Sequence, residues 1–187
     1  MPESVESVEN NAPPRWLWLA LAVAHLGAFA YQLQSGHWFF PDSDRYLDAA
    51  RNLLHHGTLY AWPWPAPGAP FSPQEFSIRP PGYPVFLLLL GLKMPLILLM
   101  QNGLSLLNLA LVARWLARRR PMPRRRWWLF GALALTAPAQ FIYANALMSE
   151  TLLQSLVVGL WLTLTRFWDD DEHPRWRSEE RRVGKEC

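Results

Sequence analysis

Residues Tyr83 to Leu116 read YPVFLLLLGLKMPLILLMQNGLSLLNLALVARWL, an apolar block in which Lys93 is the one charge before Arg114. As a single helix this stretch would run ~50 Å, against a hydrocarbon core of ~30 Å, so the block must break. Lys93-Met94-Pro95 is the natural place, because Pro suits the first turn of a helix and not its middle. The front part, Tyr83 to Leu92, is too short to cross a bilayer and reads as a surface or re-entrant helix. The back part, Pro95 to about Leu116, reads as a membrane span. A crossing at 83–92 would put the arginines that follow on the same side as the preceding loop, against the positive-inside rule.

Working outward, three more apolar segments have span character. Trp16 to Leu33 (WLWLALAVAHLGAFAYQL) carries aromatic residues near both ends, where an interfacial belt belongs. Ala28-Phe29-Ala30 fits a signal-peptidase pattern, but the preceding segment is long and net acidic, with Glu3, Glu6 and Glu9, so an uncleaved anchor is the better reading. His25 inside it reads as a histidine paired to a backbone carbonyl rather than a proton relay. A third span runs from Trp127 to Tyr143, with Pro138 expected to bend its far end. After a short turn, Ala144 to Glu150, a fourth runs from Thr151 to Phe167. The expected fold class is therefore all-α integral membrane, with about four transmembrane helices and amphipathic juxtamembrane helices in the first extracytoplasmic loop, residues 34–94. Residues 1–15 form a cytoplasmic tail, and 169–176 an acidic cytoplasmic loop.

Composition agrees once it is read locally. The chain has 187 residues, 51% of them hydrophobic, yet its mean hydropathy is near zero, because apolar runs alternate with stretches of Arg and Pro. Seven Arg lie between Arg114 and Arg126 with no acid among them. Such a cluster can hold nucleic acid or anionic lipid; between two apolar spans it reads as a cytoplasmic topogenic loop, and no nucleic-acid partner is expected. Residues 177–187, RSEERRVGKEC, resemble one translated frame of a sequencing-library adapter and are set aside from the fold. The single Cys187 belongs to that tail and says nothing of redox compartment.

Within the 34–94 loop, Asp42 to Gly57 reads as an amphipathic helix. Tyr46, Leu47, Ala50, Leu53 and Leu54 recur at helical spacing, with Asp44, Arg45, Asp48, Arg51 and Asn52 on the other side. Asp42, Ser43 and Asp44 offer caps, and Gly57 a stop. Such a helix lies flat on a membrane surface. Tyr60 to Phe71 (YAWPWPAPGAPF) should be irregular. His55-His56 point apart on a helix and have no third ligand nearby, which argues against metal.

PDSDRYLDAARNLLHHG (Pro41 to Gly57), followed by IRPPGYPVFLLLL (Ile78 to Leu90), resembles the first extracytoplasmic loop of GT-C glycosyltransferases, family 39 type. The protein O-mannosyltransferases and the lipid A aminoarabinose transferase look nearest. NALMSETLL (Asn145 to Leu153) resembles the loop before their fourth span. The resemblance covers about residues 16–168, the N-terminal part of such enzymes. It implies transfer of a sugar from a polyprenyl-phosphate donor to an acceptor hydroxyl on a protein, lipid A or another glycan. The bilayer is a further partner. That reaction requires neither a nucleotide-cradling Gly loop nor a metal-binding acidic pair, and no cofactor is expected.

The same resemblance implies roles. Asp42 matches the acid that opens the motif and is the expected general base; its competing use is as a helix cap. Asp44 is the second candidate, because Ser43 stands where relatives carry Glu after the first Asp. Arg79 matches a basic position before the Pro, where its guanidinium would bind the lipid phosphate; alternatively it snorkels to headgroups. Arg45 and Tyr46 fit the family's Arg-Tyr step, though Arg45 suits a surface ion pair with Asp48 equally. Glu150 either contacts the acceptor or caps the fourth span. Pro80-Pro81-Gly82 is architectural. The rival readings are a transporter, flippase or polymerase subunit of envelope-glycan assembly, and a non-catalytic protein keeping only the loop. Low Lys beside high Arg, Ala, Pro and Trp suggests a bacterium of GC-rich genome, hence the inner membrane.

Overall fold

The computed structural model describes residues 12–37, 39–76, 78–119 and 122–170, the last two as backbone. Its described residues form α-helices and one short 3₁₀ turn, Pro73–Phe76, with no strand. The helices are α1 (Arg15–Ser35), α2 (Ser43–His56), α3 (Gly82–Leu89), α4 (Met94–Arg119), α5 (Arg124–Thr136), α6 (Pro138–Ala144) and α7 (Glu150–Asp170). The expected acidic loop beyond residue 170, the adapter-like tail and most of the N-terminal tail lie outside the described residues.

The breaks follow local chemistry. α2 ends where Gly57 turns left-handed (φ 68°) and donates its N–H to the Leu53 carbonyl at 3.1 Å, a conformation free of Cβ strain only for Gly. The long apolar block breaks slightly before Lys93: Gly91 and Leu92 both adopt positive φ, and the Leu92 N–H closes back on the Leu87 carbonyl at 3.0 Å. Pro95 then falls in the first turn of α4, where its missing N–H costs nothing. The third apolar segment does not bend at Pro138, as expected, but divides. Ala137 is extended (φ −82°, ψ 95°) and α6 restarts on Pro138, in keeping with the bias of Pro against a helical conformation for the residue before it.

Four rods result: α1, α4, α5 with α6, and α7. Their contacts fix direction. His25 meets Ser105 while Leu17 and Leu21 pack with Ala113, so α1 is antiparallel to α4. Gln140 meets Ser105 and Gln101 reaches the Tyr143 carbonyl, so α6 also opposes α4. Asn108 bonds Ser155 and Trp115 packs on Trp161, so α7 runs with α4. The chain thus traverses the bundle up, down, up, down. One end carries α2, α3 and the 145–149 turn; the other carries the arginines.

Uncharged polar side chains are buried among the apolar clusters of the bundle interior, while many large apolar ones face outward. His25, Gln101, Asn102, Ser105, Asn108 and Thr151 are buried, whereas Leu19, Val23, Leu107, Leu133, Leu156 and Leu160 are exposed. In water that arrangement would cost hydrophobic free energy on every face. In lipid, interhelical hydrogen bonds and close packing hold helices together. Two helices, α1 and α4, are long and apolar enough to cross a membrane. α5 and α6 are too short singly, and α7 carries Gln154, Thr163 and Arg166 along its length. The sequence placed the polar residues at the surface loop; the charged ones are there, but an uncharged polar stripe on α4 turns inward.

Candidate functional site

The sequence-predicted residues gather where the two ends of the loop fold back onto the bundle. Tyr46, Leu47 and Ala50 of α2 form a buried apolar cluster with Tyr83 and Leu87 of α3, Ile97 of α4 and Leu147. The spacing of those α2 residues places them on one helical stripe, while Asp44 and Arg51 on the other side are exposed. Polar contacts key the cluster to the 145–149 turn. Ser43 Oγ donates to the Leu147 carbonyl at 3.0 Å and accepts the Phe40 N–H at 2.8 Å. The Tyr46 hydroxyl meets Ser149 Oγ at 2.8 Å. Asn145 to Glu150 and the 42–46 step, about a hundred residues apart, are therefore one site.

On this platform Arg79 is ion-paired to Asp42, and its guanidinium lies over the Tyr46 ring at 5.1 Å. Asp42 stands at the N-cap position of α2 but makes no capping hydrogen bond; its carboxylate is committed to Arg79 instead. The Arg79 side chain is 16% exposed and that of Asp42 44%, so the pair sits at a rim, cation inward. Arg79 Nε is buried without a partner, as is Glu150 Oε2 in the first turn of α7. Each leaves one polar atom unsatisfied, a condition that costs ~1–3 kcal/mol for a buried group.

Tyr83 lies edge-on to Tyr46, ring centroids 4.9 Å apart, and donates its hydroxyl to Gln101 Oε1 at 3.1 Å. Burial, reinforced by Tyr46 and by the charge of Glu150, pushes its ionisation well above the ordinary phenol value. Tyr83 serves here as a hydrogen-bond donor to Gln101. Gln101 in turn donates to the carbonyls of Tyr143 and Ala146, at 3.0 and 2.8 Å, so one buried amide ties α4, α3 and the 145–149 turn together.

Arg45 and Asp44 face another way. Arg45 pairs not with Asp48, as one reading of the sequence had it, but with Glu75 at 2.5 Å, and it lies over Trp62 at 4.8 Å. Asp48 is taken by Arg51, at 3.6 Å one turn on. The reason is that the Pro-rich segment folds back along α2. Asn52 Nδ2 donates to the Tyr60 and Trp62 carbonyls at 2.7 and 2.8 Å, which brings the Pro73–Phe76 turn beside Arg45. Asp44 is exposed and, with Arg45 and Trp62, lines a groove of about 480 Å³. The geometry therefore separates the two acids: Asp42 beside the half-buried cation, Asp44 on the far flank.

His56 stacks on Trp64 at 3.7 Å, and among the described residues no three His, Cys, Asp or Glu side chains converge. His25 does bond a backbone carbonyl, that of Leu21 at 2.9 Å, but its other nitrogen also meets Ser105 Oγ at 2.9 Å. Glu75, Gln101 and Ser149 were not singled out in the sequence. Gln101 had a signal, a Gln-Asn pair inside an apolar span; Glu75 had none, because only the fold of the Pro-rich segment brings it near. No protein family, curated protein or solved structure matches this chain.

Proposed function

We propose that this chain is the N-terminal part of an integral membrane glycosyltransferase of the GT-C kind, using a polyprenyl-phosphate sugar at the outer face of a bacterial inner membrane. In this reading all four rods cross the bilayer, α5 and α6 together as one broken span, and the α2–α3 end faces outward. The observation that carries it is the Asp42–Arg79 pair seated on Tyr46 beside the 145–149 turn. Asp42 takes the proton of the acceptor hydroxyl as its oxygen attacks the anomeric carbon. The bond from that carbon to the phosphate oxygen breaks, and the phosphate leaves with the electron pair toward Arg79. A phosphate competes well for a guanidinium, through two parallel hydrogen bonds. Arrival of the donor would thus draw Arg79 away and leave the Asp42 carboxylate free to act as base. Phe40, close to Asp42 in sequence, lines a mainly apolar groove of about 360 Å³ with Tyr31, Phe141 and Ile142, a surface suited to a prenyl chain.

The test is made in the full-length parent, by transfer of labelled sugar from a synthetic polyprenyl-phosphate donor and, in parallel, donor binding. Asp42→Asn should cut turnover ~10²–10⁴-fold, the usual worth of a positioned base, with donor binding nearly intact. Arg79→Ala should weaken binding as well as turnover. If Asp44→Asn is the inactive variant instead, Asp44 is the base; if all three variants stay active, the transferase reading fails. The polar side chains buried in the bundle favour one rival, a transporter without transfer chemistry, for which flux of the lipid-linked sugar would persist with no product formed.

A further inference from the structure

At the opposite end of the bundle, α4 and α7 diverge around a pocket of about 450 Å³ lined by Arg114, Trp115, Arg118 and Arg119 from α4 and by Thr165 and Arg166 from α7. From these residues we propose that the pocket is a binding site for a phosphate-bearing anion, either the headgroup of an anionic phospholipid or a soluble phosphate compound. A topogenic loop needs only positive charge near the membrane; it does not need that charge arranged around a cavity. Here four arginines from two helices line one hollow. Arg119 Nη2 lies 3.5 Å from the Thr165 carbonyl and its guanidinium 5.6 Å from the Trp115 ring centre. Among the residues whose side chains are described, no carboxylate lies within ion-pair distance of Arg114, Arg118 or Arg166.

Two further features point to a ligand. The indole N–H of Trp115 is buried and has no acceptor, and a phosphate oxygen is the acceptor the pocket's charge would bring. Trp115 is itself packed against Trp161, ring centroids 4.2 Å apart. Three of the arginines fall at 114, 118 and 119, on one flank of the last turns of α4, where the free carbonyls of the helix end already favour positive charge. Basic pockets between helices at a membrane surface suit lipid phosphates, each nearby arginine adding to the attraction. The inference does not rest on the transferase reading, since it concerns the other end of the molecule.

The test uses the whole 187-residue chain, purified in detergent, with native mass spectrometry counting what it retains of phosphatidylcholine, phosphatidylglycerol and cardiolipin, and a separate arm with inorganic pyrophosphate. Anionic lipid should be retained over phosphatidylcholine, and Arg114→Gln/Arg118→Gln/Arg166→Gln should weaken that retention about tenfold or more. Arg124→Gln/Arg125→Gln, which removes charge from the same loop outside the pocket, should leave it unchanged. Retention of pyrophosphate without preference among the lipids assigns the site to a soluble phosphate ligand. Equal losses in the two variants, or no preference for any anion, overturn the proposal. If the triple variant does not fold, Trp115→Phe decides: weaker retention supports the site, and unchanged retention overturns it.

Discussion

Asn102 serves three acceptors from one amide nitrogen: the carbonyls of Leu98 and Ala144 and Oδ1 of Asn145, at 2.9, 3.1 and 2.8 Å. Asn145 reciprocates at 3.4 Å and also holds the Phe141 carbonyl at 2.9 Å. A double-mutant cycle of Asn102→Leu and Asn145→Leu, read by unfolding in bicelles, should give a coupling of about 1 kcal/mol, the range for interhelical hydrogen bonds in lipid. A coupling near zero would mean that the two amides act independently. Asp48 makes a pH prediction. Burial, with Asp44 adding repulsion, raises its carboxyl above the ordinary value of 3.8, and Arg51 offsets this in part. A carboxyl that binds its proton more tightly when folded loses stability as pH rises through the folded value. Asp48→Asn should therefore stabilise α2 at neutral pH, with the advantage disappearing below the ordinary value; an equal effect at all pH values would trace it to something other than ionisation. At this scale, the sequence revealed residues whose neighbours lie on the same element, such as Tyr46 on its apolar stripe. It was silent about which acid meets which arginine, because Arg79 and Glu75 reach α2 only through the path of a Pro-rich loop with no periodicity.

Helices were legible where physics leaves few choices. Apolar run length gave α1 and α4, helical spacing with Gly57 gave α2, and Pro95 gave the restart of α4. The α5–α6 division was read only as a bend, since the consequence of Pro138 depends on whether Ala137 keeps a helical conformation, which packing decides. The inward polar stripe of α4 was missed because hydropathy averages over the whole helix and hides one face. Packing also makes the same substitution act with opposite sign on two helices. A Cβ on Gly131 of α5 would lie 2.7 Å from Leu17 Cδ1, in the buried α1–α5 contact beside the Trp16–Trp128 stack. Gly159 of α7 has open space around it. Leu17 is fully buried and has little room to give, so for Gly131→Ala an overpacking cost of ~1–3 kcal/mol should outweigh the propensity gain and destabilise by about 1 kcal/mol net, whereas Gly159→Ala should stabilise by up to ~1 kcal/mol through helix propensity alone. Thermal unfolding followed by circular dichroism in one detergent separates them, and shifts of the same sign in both would refute the packing argument.

For the whole molecule, the decisive property is that its two ends differ in kind. One carries acids, aromatic residues and prolines around the Asp42–Arg79 pair, the other a basic cluster, with an apolar exterior between. Because Ser43 and Tyr46 touch Leu147 and Ser149, α2 and the 145–149 turn must lie on the same side of any membrane. If α1 and α4 cross, then, α5 with α6 must return to that side and α7 must leave it. Two crossings would force those contacts apart. We therefore predict that residues 36–93 and 145–149 face outward and the 119–124 link inward. Single cysteines would check this on intact, outer-membrane-permeabilised cells with a membrane-impermeant thiol reagent, with Cys187→Ser removing the one other thiol of the sequence. Ser72 is an exposed probe for the first loop. Met122 is unsuitable for the link, being 7% exposed among α1 and α5 side chains, so Arg125, which is exposed, serves instead. Ser72→Cys and Met148→Cys should label, and Arg125→Cys should label only after the inner membrane is opened. Labelling at 125 alone would invert the orientation and move the Asp42–Arg79 pair to the cytoplasm. Labelling at 72 but not at 148, with 148 reactive after lysis, would break the four-crossing arrangement, because the two loops that build the site would then lie on opposite sides.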